Sequence, residues 1–264
     1  WAMGSGLVFL VLPFIPGIGQ SINGARSWIR IGPMSCQPAE LSKVLLAVFF
    51  ASYLVANRDN LALAGRKVLW MSLPRARHLG PLFIVWGVSI CVLVLQKDLG
   101  SSVLLFGLFV VVLYVATDRP SWLLIGAALF LPAAWFAATH LHHVQQRING
   151  WLHATDNAVY NAAGGSWQLL TGMFGMSTGG LMGAGWGKGS PTLVTFANSD
   201  FIFASLGEEL GLTGTLVLLM LYLVLIQRGL RTAGLLRDGA GKLLAVGLSF
   251  AVALQIFVVL GGVH

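Results

Sequence analysis

The chain has 264 residues, of which 56% are hydrophobic and only 9% are charged, and its mean hydropathy is +0.81. Because soluble domains carry roughly 25% charged residues, this composition excludes an ordinary soluble enzyme and indicates an all-α, polytopic membrane protein. The net charge of +7 does not require a nucleic-acid partner, since most of it lies in short connections that anionic lipid headgroups attract. Two cysteines, Cys36 and Cys91, exclude a disulfide framework.

Seven apolar runs follow one another along the chain. They lie near 3–16, 40–56, 80–96, 101–117, 121–141, 201–227 and 243–263. At about 1.5 Å per residue, helices of these lengths can cross a hydrocarbon layer about 30 Å thick. We therefore predict a single multi-span membrane domain over 1–264, with about seven transmembrane helices and one large extracytoplasmic loop at 142–199.

The distribution of lysine and arginine predicts the side that each connection faces. If every run spans, ten of these residues fall on one side: Arg58, Arg66, Lys67, Arg75, Arg77, Arg119, Arg228, Arg231, Arg237 and Lys242. Five fall on the other side, over far more loop: Arg26, Arg30, Lys97, Arg147 and Lys188. The positive-inside rule makes the first side cytoplasmic, so the 142–199 loop faces outward.

The second run begins with the sequence QPAELSK at 37–43. Proline suits the first helical turn, Glu40 complements the positive end of a helix, and Lys43 falls on the same face three residues later. This spacing predicts a helix start with an ion pair between Glu40 and Lys43. Upstream, Arg26 beside Trp28 predicts an aromatic anchor at the outer headgroup level.

The outer loop is rich in glycine and apolar residues, with nine glycines and no acid between 164 and 188. This composition predicts irregular backbone that packs against the spans or dips into the outer leaflet, with a floppy connector as the alternative. Four histidines belong to the same side: His140, His142, His143 and His153. No fixed spacing links them to an acid, so an interfacial cluster is favoured over a metal site.

Asp200 stands where the outer loop meets the 201–227 run, which carries two further acids, Glu208 and Glu209. Removing a carboxylate from water is costly, so acids at a membrane edge usually line a cavity, pair with a cation or perform chemistry. Glu208 lies eight residues on, which is about 12 Å deeper at helical rise. We predict that Glu208 and Glu209 form a structural acid pair, with Lys43, an arginine or buried polar groups as partners.

Small residues follow Asp200 at helical spacing, namely Ala204, Gly207 and Gly211, with Gly214 nearby. A stripe of this kind lets another helix or a lipid chain approach the helix backbone closely. Asp200 is therefore predicted to lie at the top of a groove.

These pieces together resemble the SEDS family (shape, elongation, division and sporulation), which includes the bacterial cell-wall proteins RodA and FtsW. The matching residues occur in the family's order: Trp28-Ile29 with Gly32, QPAEL at 37–41 with Lys43, Gln96 with Asp98-Leu99-Gly100, Trp167-Gln168, Gly179-Gly180, Gly183 with Gly185, SDFIF at 199–203, and EELG at 208–211 with Gly214. The NGAR sequence at 23–26 is most similar to actinobacterial members.

Some positions depart from the family pattern. Ser27 stands where the family usually has arginine, Lys97 stands where it has proline, and FANS at 196–199 replaces an acid-containing sequence before the aspartate. These departures indicate a divergent member. The family fold has more spans than this chain, so we expect the chain to be shortened at both ends.

The resemblance implies peptidoglycan glycosyltransfer at the outer face of the bacterial cytoplasmic membrane. The disaccharide of lipid II would join a growing glycan, and undecaprenyl pyrophosphate would leave. The resemblance assigns the essential carboxylate to Asp200, and chemistry agrees, because a sugar hydroxyl is a weak nucleophile that benefits from a general base. A single base and a charged leaving group displaced in line predict inversion of the anomeric centre.

Further residues are predicted to bind the substrate: Arg26, Trp28, Glu40, Lys43, Gln96, Asp98, Arg147, Gln168 and Lys188. Arg26 and Lys43 are favoured as the cations that stabilise the departing pyrophosphate, and a divalent cation, Mg²⁺ or Mn²⁺, at Asp200 is an additional hypothesis. The resemblance also implies a partner, a class B penicillin-binding protein whose transpeptidase domain cross-links the glycan.

Two functions from other classes stay open at this point. A lipid II flippase or a proton-coupled transporter would use the acids Asp98, Glu208 and Glu209 as an intramembrane relay. The absence of an inverted repeat and the position of Asp200 at the outer edge both favour the glycosyltransferase over the transporter. The second of these functions is that of a non-catalytic scaffold that holds a partner.

Overall fold

A computed structural model describes residues 1–22, 25–31, 34–57, 67–68, 71–72, 76–162, 164–194, 197 and 199–263. Within these ranges the helices are α1 Ala2–Val11, α2 Pro38–Ala56, α3 Ala76–Leu95, α4 Leu99–Thr117, α5 Ser121–His140, α6 His142–Leu152, α7 Asn157–Tyr160, α8 Trp167–Gly179, α9 Ile202–Leu235 and α10 Gly239–Val263. The strands are β1 Gly19–Ile22, β2 Ala25–Ile31, β3 Met34–Cys36, β4 Lys67–Val68 and β5 Met71–Ser72. Turns of 3₁₀ helix cover Leu12–Phe14 and Pro191–Leu193.

Helices dominate the fold, which confirms the predicted all-α membrane architecture, but two small antiparallel sheets add to it. In the larger sheet, β2 lies between β1 and β3, and Ile29 of β2 pairs with Gly19 on one side and Cys36 on the other. The strand alternates as a half-buried strand should, because Ser27 and Ile29 are buried while Arg30 is exposed. The hydropathy pattern did not reveal these strands because they lie in a short polar connection between apolar runs.

Five of the described helices are long and apolar enough to cross a membrane, namely α2, α4, α5, α9 and most of α10. Two shorter apolar helices, Ala2–Phe14 and Gly80–Leu95, coincide with the remaining predicted runs. The chain is therefore a multi-pass membrane protein, while the number of seven spans stays a prediction.

The contacts divide the chain into two compact units, Trp1–Gly126 with Ile226–Leu254 and Ala127–Leu225 with Gln255–His264. We call them the first and the second unit. The single membrane domain stays a prediction.

An aromatic cluster forms the centre of the first unit. The ring of Phe109 on α4 stacks on Trp86 of α3 at a centroid distance of 4.9 Å, and it meets Phe50 of α2 edge-on at 5.3 Å. Phe50 and Phe109 are almost completely buried, as are the leucines that surround them. Burying such side chains stabilises a fold by about 1.5–3 kcal/mol each in water. Within lipid, the same contacts act through close packing instead.

The spanning helices differ in how much surface other parts of the chain cover. In α2 and α4, 44% of the apolar window is buried, against 11% in α5 and in α9. The exposed side chains of α9 include Leu221, Leu223 and Leu225. A helix that is apolar all round and uncovered by its own chain is suited to contact lipid, so these faces are consistent with a membrane environment.

In the second unit, α8 packs closely against the beginning of α9. Gly172, Gly175 and Gly179 are the buried residues of α8, and they recur at a spacing that places them on one helical face. A Cβ atom on Gly172 would lie 2.8 Å from the ring of Phe201, so only glycine permits this approach. The stripe of small residues on α9 therefore receives a helix of the same chain.

The irregular backbone predicted for 164–188 is wrong over Trp167–Gly179, where the chain forms α8. The glycines there do not unravel the helix, because the contact with α9 uses their lack of side chains. The described residues of the predicted loop at 142–199 thus include the α-helices α6, α7 and α8.

The predicted continuous helix over 201–227 is interrupted at Gly211, whose φ of 68° and ψ of −172° are not helical. In an unbroken helix, the amides of Leu212 and Thr213 would donate to the carbonyls of Glu208 and Glu209. The interruption leaves these four backbone groups without helical partners. Unsatisfied backbone groups cost several kcal/mol each in a membrane, so another segment must pair with them.

Residues 180–185, which we call the strap, supply all four partners. The amides of Ala184 and Gly185 donate to the carbonyls of Glu208 and Glu209 at 2.9 and 3.0 Å. On the other side of the break, the amides of Leu212 and Thr213 donate to the carbonyls of Gly180 and Leu181 at 2.9 and 3.1 Å. The strap therefore satisfies the backbone groups on both sides of the break.

Candidate active site

Asp200 lies in the turn that leads into α9, two residues before the first helical residue, Ile202. Its side chain is exposed, and it forms no hydrogen bond or ion pair with any residue that the structure describes. The backbone around it is anchored, because the Ile202 amide donates to the Ser199 carbonyl at 3.3 Å and Phe201 packs against the buried Ala204. The carboxylate is thus fixed at its base and available to a substrate or a cation.

Glu208 does not pair with Lys43 or an arginine among the described residues. Its Oε1 accepts a hydrogen bond of 3.0 Å from the backbone amide of Ser190, so a backbone group fills the place of the predicted polar partner. Glu209 lies beside it, and a Cβ atom on Gly189 would lie 2.9 Å from Glu209 Cγ and 3.2 Å from Glu208 Cδ. The structural role predicted for the acid pair stays a prediction, and this hydrogen bond is the contact that supports it for Glu208.

Three of the predicted substrate-binding residues belong to the second unit. Gln168 is in the first turn of α8, Lys188 follows the strap, and Arg147 is on α6. All three side chains are exposed, and none forms an ion pair with a described residue. Their roles in binding stay predictions.

The other predicted substrate-binding residues belong to the first unit. At the start of α2, Lys43 Nζ lies 2.8 Å from Glu40 Oε1, which confirms the predicted ion pair. The Lys43 side chain is 9% exposed and the Glu40 side chain 47%, so the pair reaches the surface through Glu40. Trp28 is half-buried in β2, whereas the side chain of Arg26 lies outside the described part of the chain.

Asp98 uses both of its carboxylate oxygens within the first unit. Oδ1 accepts from the backbone amide of Ser101 at 3.0 Å and so caps α4, and Oδ2 accepts from Gln37 Nε2 at 2.8 Å. Nearby in sequence, Gln96 is 1% exposed and donates to the backbone carbonyl of Leu10. The link between Gln37 and Asp98 was not predicted, because 61 residues separate them and no local spacing connects them.

We expect Asp98→Ala to lower the free energy of unfolding by about 1–3 kcal/mol, because it removes the cap of α4 and leaves the side-chain amide of Gln37 unpaired. Asp98→Asn is the matched control, since its side-chain oxygen can still accept from Ser101, and it should cost less. Thermal unfolding of the purified variants in detergent measures both effects. Equal unfolding temperatures for Asp98→Ala and the unchanged protein would contradict the structural role.

No three His, Cys, Asp or Glu side chains lie close enough to hold a metal ion in the part of the chain that is described. His140 stacks on Phe136 at a centroid distance of 4.4 Å. The interfacial cluster of four histidines stays a prediction. Asp200 offers one exposed carboxylate. This donor set fits Mg²⁺ held by one carboxylate and by phosphate oxygens of a substrate, which is a usual arrangement for this ion.

Comparison with known proteins gives the same family as the motifs. The sequence profile of the FtsW/RodA/SpoVE family, described as a cell cycle protein, matches residues 1–264. The chain is 46% identical over 260 residues to the peptidoglycan glycosyltransferase RodA of Mycobacterium bovis, covering 98% of this chain and 55% of that protein. It is 31% identical over 257 residues to an FtsW protein of Geobacter metallireducens, covering 97% of this chain and 64% of that protein. The chain thus spans about half the length of its RodA relatives.

Solved structures share the fold. One chain, from a structure described as "Structural coordination of polymerization and crosslinking by a peptidoglycan synthase complex", superposes with a TM-score of 0.70 at 26% identity, covering 99% of this chain and 69% of that one. RodA of Thermus thermophilus superposes with a TM-score of 0.57 at 22% identity, covering 98% and 64%, and this similarity concerns the fold alone. With the profile match over the whole chain, these similarities confirm the predicted resemblance, and the chain belongs to the FtsW/RodA/SpoVE family.

Proposed function

We propose that this chain carries the catalytic carboxylate of a peptidoglycan glycosyltransferase that polymerises lipid II into glycan strands at the outer face of the bacterial cytoplasmic membrane. The observation that carries the proposal is the exposed carboxylate of Asp200, which pairs with none of the described residues, in a chain that is 46% identical to a RodA named for this activity. The outward orientation is supported by the uneven distribution of lysine and arginine between the two sets of connections.

Asp200 would act as a general base. Its carboxylate would take the proton of the acceptor hydroxyl while the hydroxyl oxygen bonds to the anomeric carbon of the donor sugar. The bond between that carbon and the pyrophosphate oxygen would break on the opposite side, which inverts the anomeric centre. A pyrophosphate leaves without protonation, so a second catalytic carboxylate is not needed.

The departing pyrophosphate requires positive charge nearby. In the second unit, Lys188 and Arg147 are exposed and form no ion pair with a described residue, so they are candidates for this role. Lys43 is held by Glu40, which offsets its charge, and the role predicted for Arg26 stays a prediction. A divalent cation bound at Asp200 would neutralise part of the same phosphate charge.

A partner would cross-link the new glycan, and we propose a class B penicillin-binding protein for this role. The support is the fold shared with a chain of a complex described as coordinating polymerization and crosslinking. The proposal concerns the whole protein, because this chain spans 55% of the RodA relatives.

The test is to reconstitute the intact protein in lipid vesicles with fluorescent lipid II, with and without its partner. We expect glycan chains, resolved by gel electrophoresis, with the inverted linkage at each new glycosidic bond. Movement of lipid II across the bilayer without any polymer would support the transporter instead. If neither glycan polymer nor movement of lipid II is detected while the partner binds tightly, the result would support the scaffold.

A further inference from the structure

Glu208 has a contact that the proposed reaction does not use. We propose that Glu208 is a positioning residue, whose carboxylate fixes the 188–194 segment, which carries Lys188 and leads into Asp200. The inference rests on the proposed function, since it matters only if Asp200 is the base. In this role, Glu208 accepts a hydrogen bond from the backbone and does not transfer a proton.

The contact at Ser190 is built by more than one element. Glu208 Oε1 lies 3.0 Å from the Ser190 amide nitrogen, and the Glu208 side chain is half-buried. Gly189 leaves the space for its carboxylate, because a Cβ atom there would lie 3.2 Å from Glu208 Oε2. A Cβ atom on Gly175 of α8 would lie 3.8 Å from Oε2, an ordinary contact distance, so α8 borders the carboxylate without crowding it.

The other end of the segment is held by apolar packing. Val194 is 4% exposed and forms a small core with Ala204, which is fully buried. Between the two ends, the Leu193 amide donates to the Ser190 carbonyl at 2.9 Å and closes a 3₁₀ turn. The segment is therefore fixed at Ser190 by Glu208 and at Val194 by the core.

The backbone also connects Lys188 to the contact between Ser190 and Glu208. The Lys188 amide donates to the Gly185 carbonyl at 3.0 Å, and the Gly185 amide donates to the Glu209 carbonyl. Lys188 is thus bounded by the strap on one side and by the Ser190 contact on the other. Losing the hydrogen bond between Glu208 and the Ser190 amide would free the backbone that follows Lys188 and precedes Asp200.

The chemistry of the contact separates an acceptor role from a charge role. A backbone amide needs an oxygen acceptor, which both glutamate and glutamine provide, whereas alanine provides none. Proton transfer or charge stabilisation would require the carboxylate itself, so glutamine could not replace it. Glu208→Gln and Glu208→Ala therefore give different results under the two hypotheses.

The experiment compares Glu208→Ala, Glu208→Gln and the control Glu209→Ala in the intact protein in lipid nanodiscs. We expect Glu208→Ala to speed hydrogen exchange at the Ser190 amide about ten- to a hundredfold, because its charged acceptor is lost. The kcat for lipid II polymerisation should fall about ten- to a hundredfold, since small misplacement of reacting groups has effects of this size. Glu208→Gln should restore both values, and Glu209→Ala should leave the exchange unchanged.

Three results would overturn the inference. They are unchanged exchange over 188–194 in Glu208→Ala, a loss of kcat in Glu208→Gln as large as in Glu208→Ala, and full polymerisation activity in Glu208→Ala. The exchange measurement does not depend on the reaction, so it still tests the contact if the protein has no polymerase activity. Full activity in Asp200→Asn would refute the proposed function, whereas full activity in Glu208→Ala would refute only the positioning role.

Discussion

Asp200→Asn is expected to lower the rate of lipid II polymerisation by about 10²- to 10⁴-fold, the usual contribution of a general base. An amide of the same shape cannot take a proton from the acceptor hydroxyl. Because Asp200 is exposed and has no described hydrogen bond, the substitution should leave the unfolding temperature unchanged. Glycan product measured against time and thermal unfolding of the same preparation check both parts of the expectation.

Asp156→Asn is the matched control for this substitution. Asp156 is an exposed aspartate of the same unit, and its side chain does not cap α7. We expect it to polymerise lipid II at the rate of the unchanged protein. Retained polymerisation in Asp200→Asn would remove Asp200 from the mechanism, and a loss in both variants would point to a general effect of charge.

Gly183→Ala should destabilise the second unit by two separate effects. The residue has a φ of 82°, and an alanine Cβ there would lie 2.2 Å from the carbonyl oxygen of Glu209. The left-handed backbone costs about 1–3 kcal/mol for an alanine, and the overpacking costs about 1–3 kcal/mol more. The clash is with backbone, so relief requires the strap to move away from the interruption in α9. Thermal unfolding in detergent measures the total.

Gly180→Ala isolates the first of these effects. Gly180 belongs to the same strap and has a φ of 55°, but no atom lies within 4 Å of its Cβ position. It should therefore lower the free energy of unfolding only by the backbone cost of about 1–3 kcal/mol. If both alanine variants unfold at the same temperature, close packing between the strap and α9 is not important for stability.

Much of the candidate site could be predicted from residues that are close in sequence. Proline and Glu40 mark the start of α2, and Lys43 pairs with Glu40 because three residues bring both to one helical face. Asp200 stood out because an acid follows a long glycine-rich stretch and precedes an apolar run. Spacing of this kind is read directly from the chain, since local geometry depends only on neighbouring residues.

The partners of backbone groups could not be predicted in this way. A glycine within an apolar run is compatible with an unbroken helix, so Gly211 did not predict an interruption. The interruption depends on the strap, which supplies partners for four backbone groups that are distant in sequence. The glycines of α8 likewise predicted irregular backbone, because the sequence does not show that α9 packs against the helical face on which they lie.

Composition and short spacings encode the membrane class, the apolar runs, the Glu40–Lys43 pair and the acid at the head of α9, so these features could be predicted from the amino acids alone. The interruption in α9, the link between Asp98 and Gln37, and the bond from the Ser190 amide to Glu208 became known only from the folded chain. Each polar group in these contacts needs a partner, and packing between distant segments determines which group that partner is.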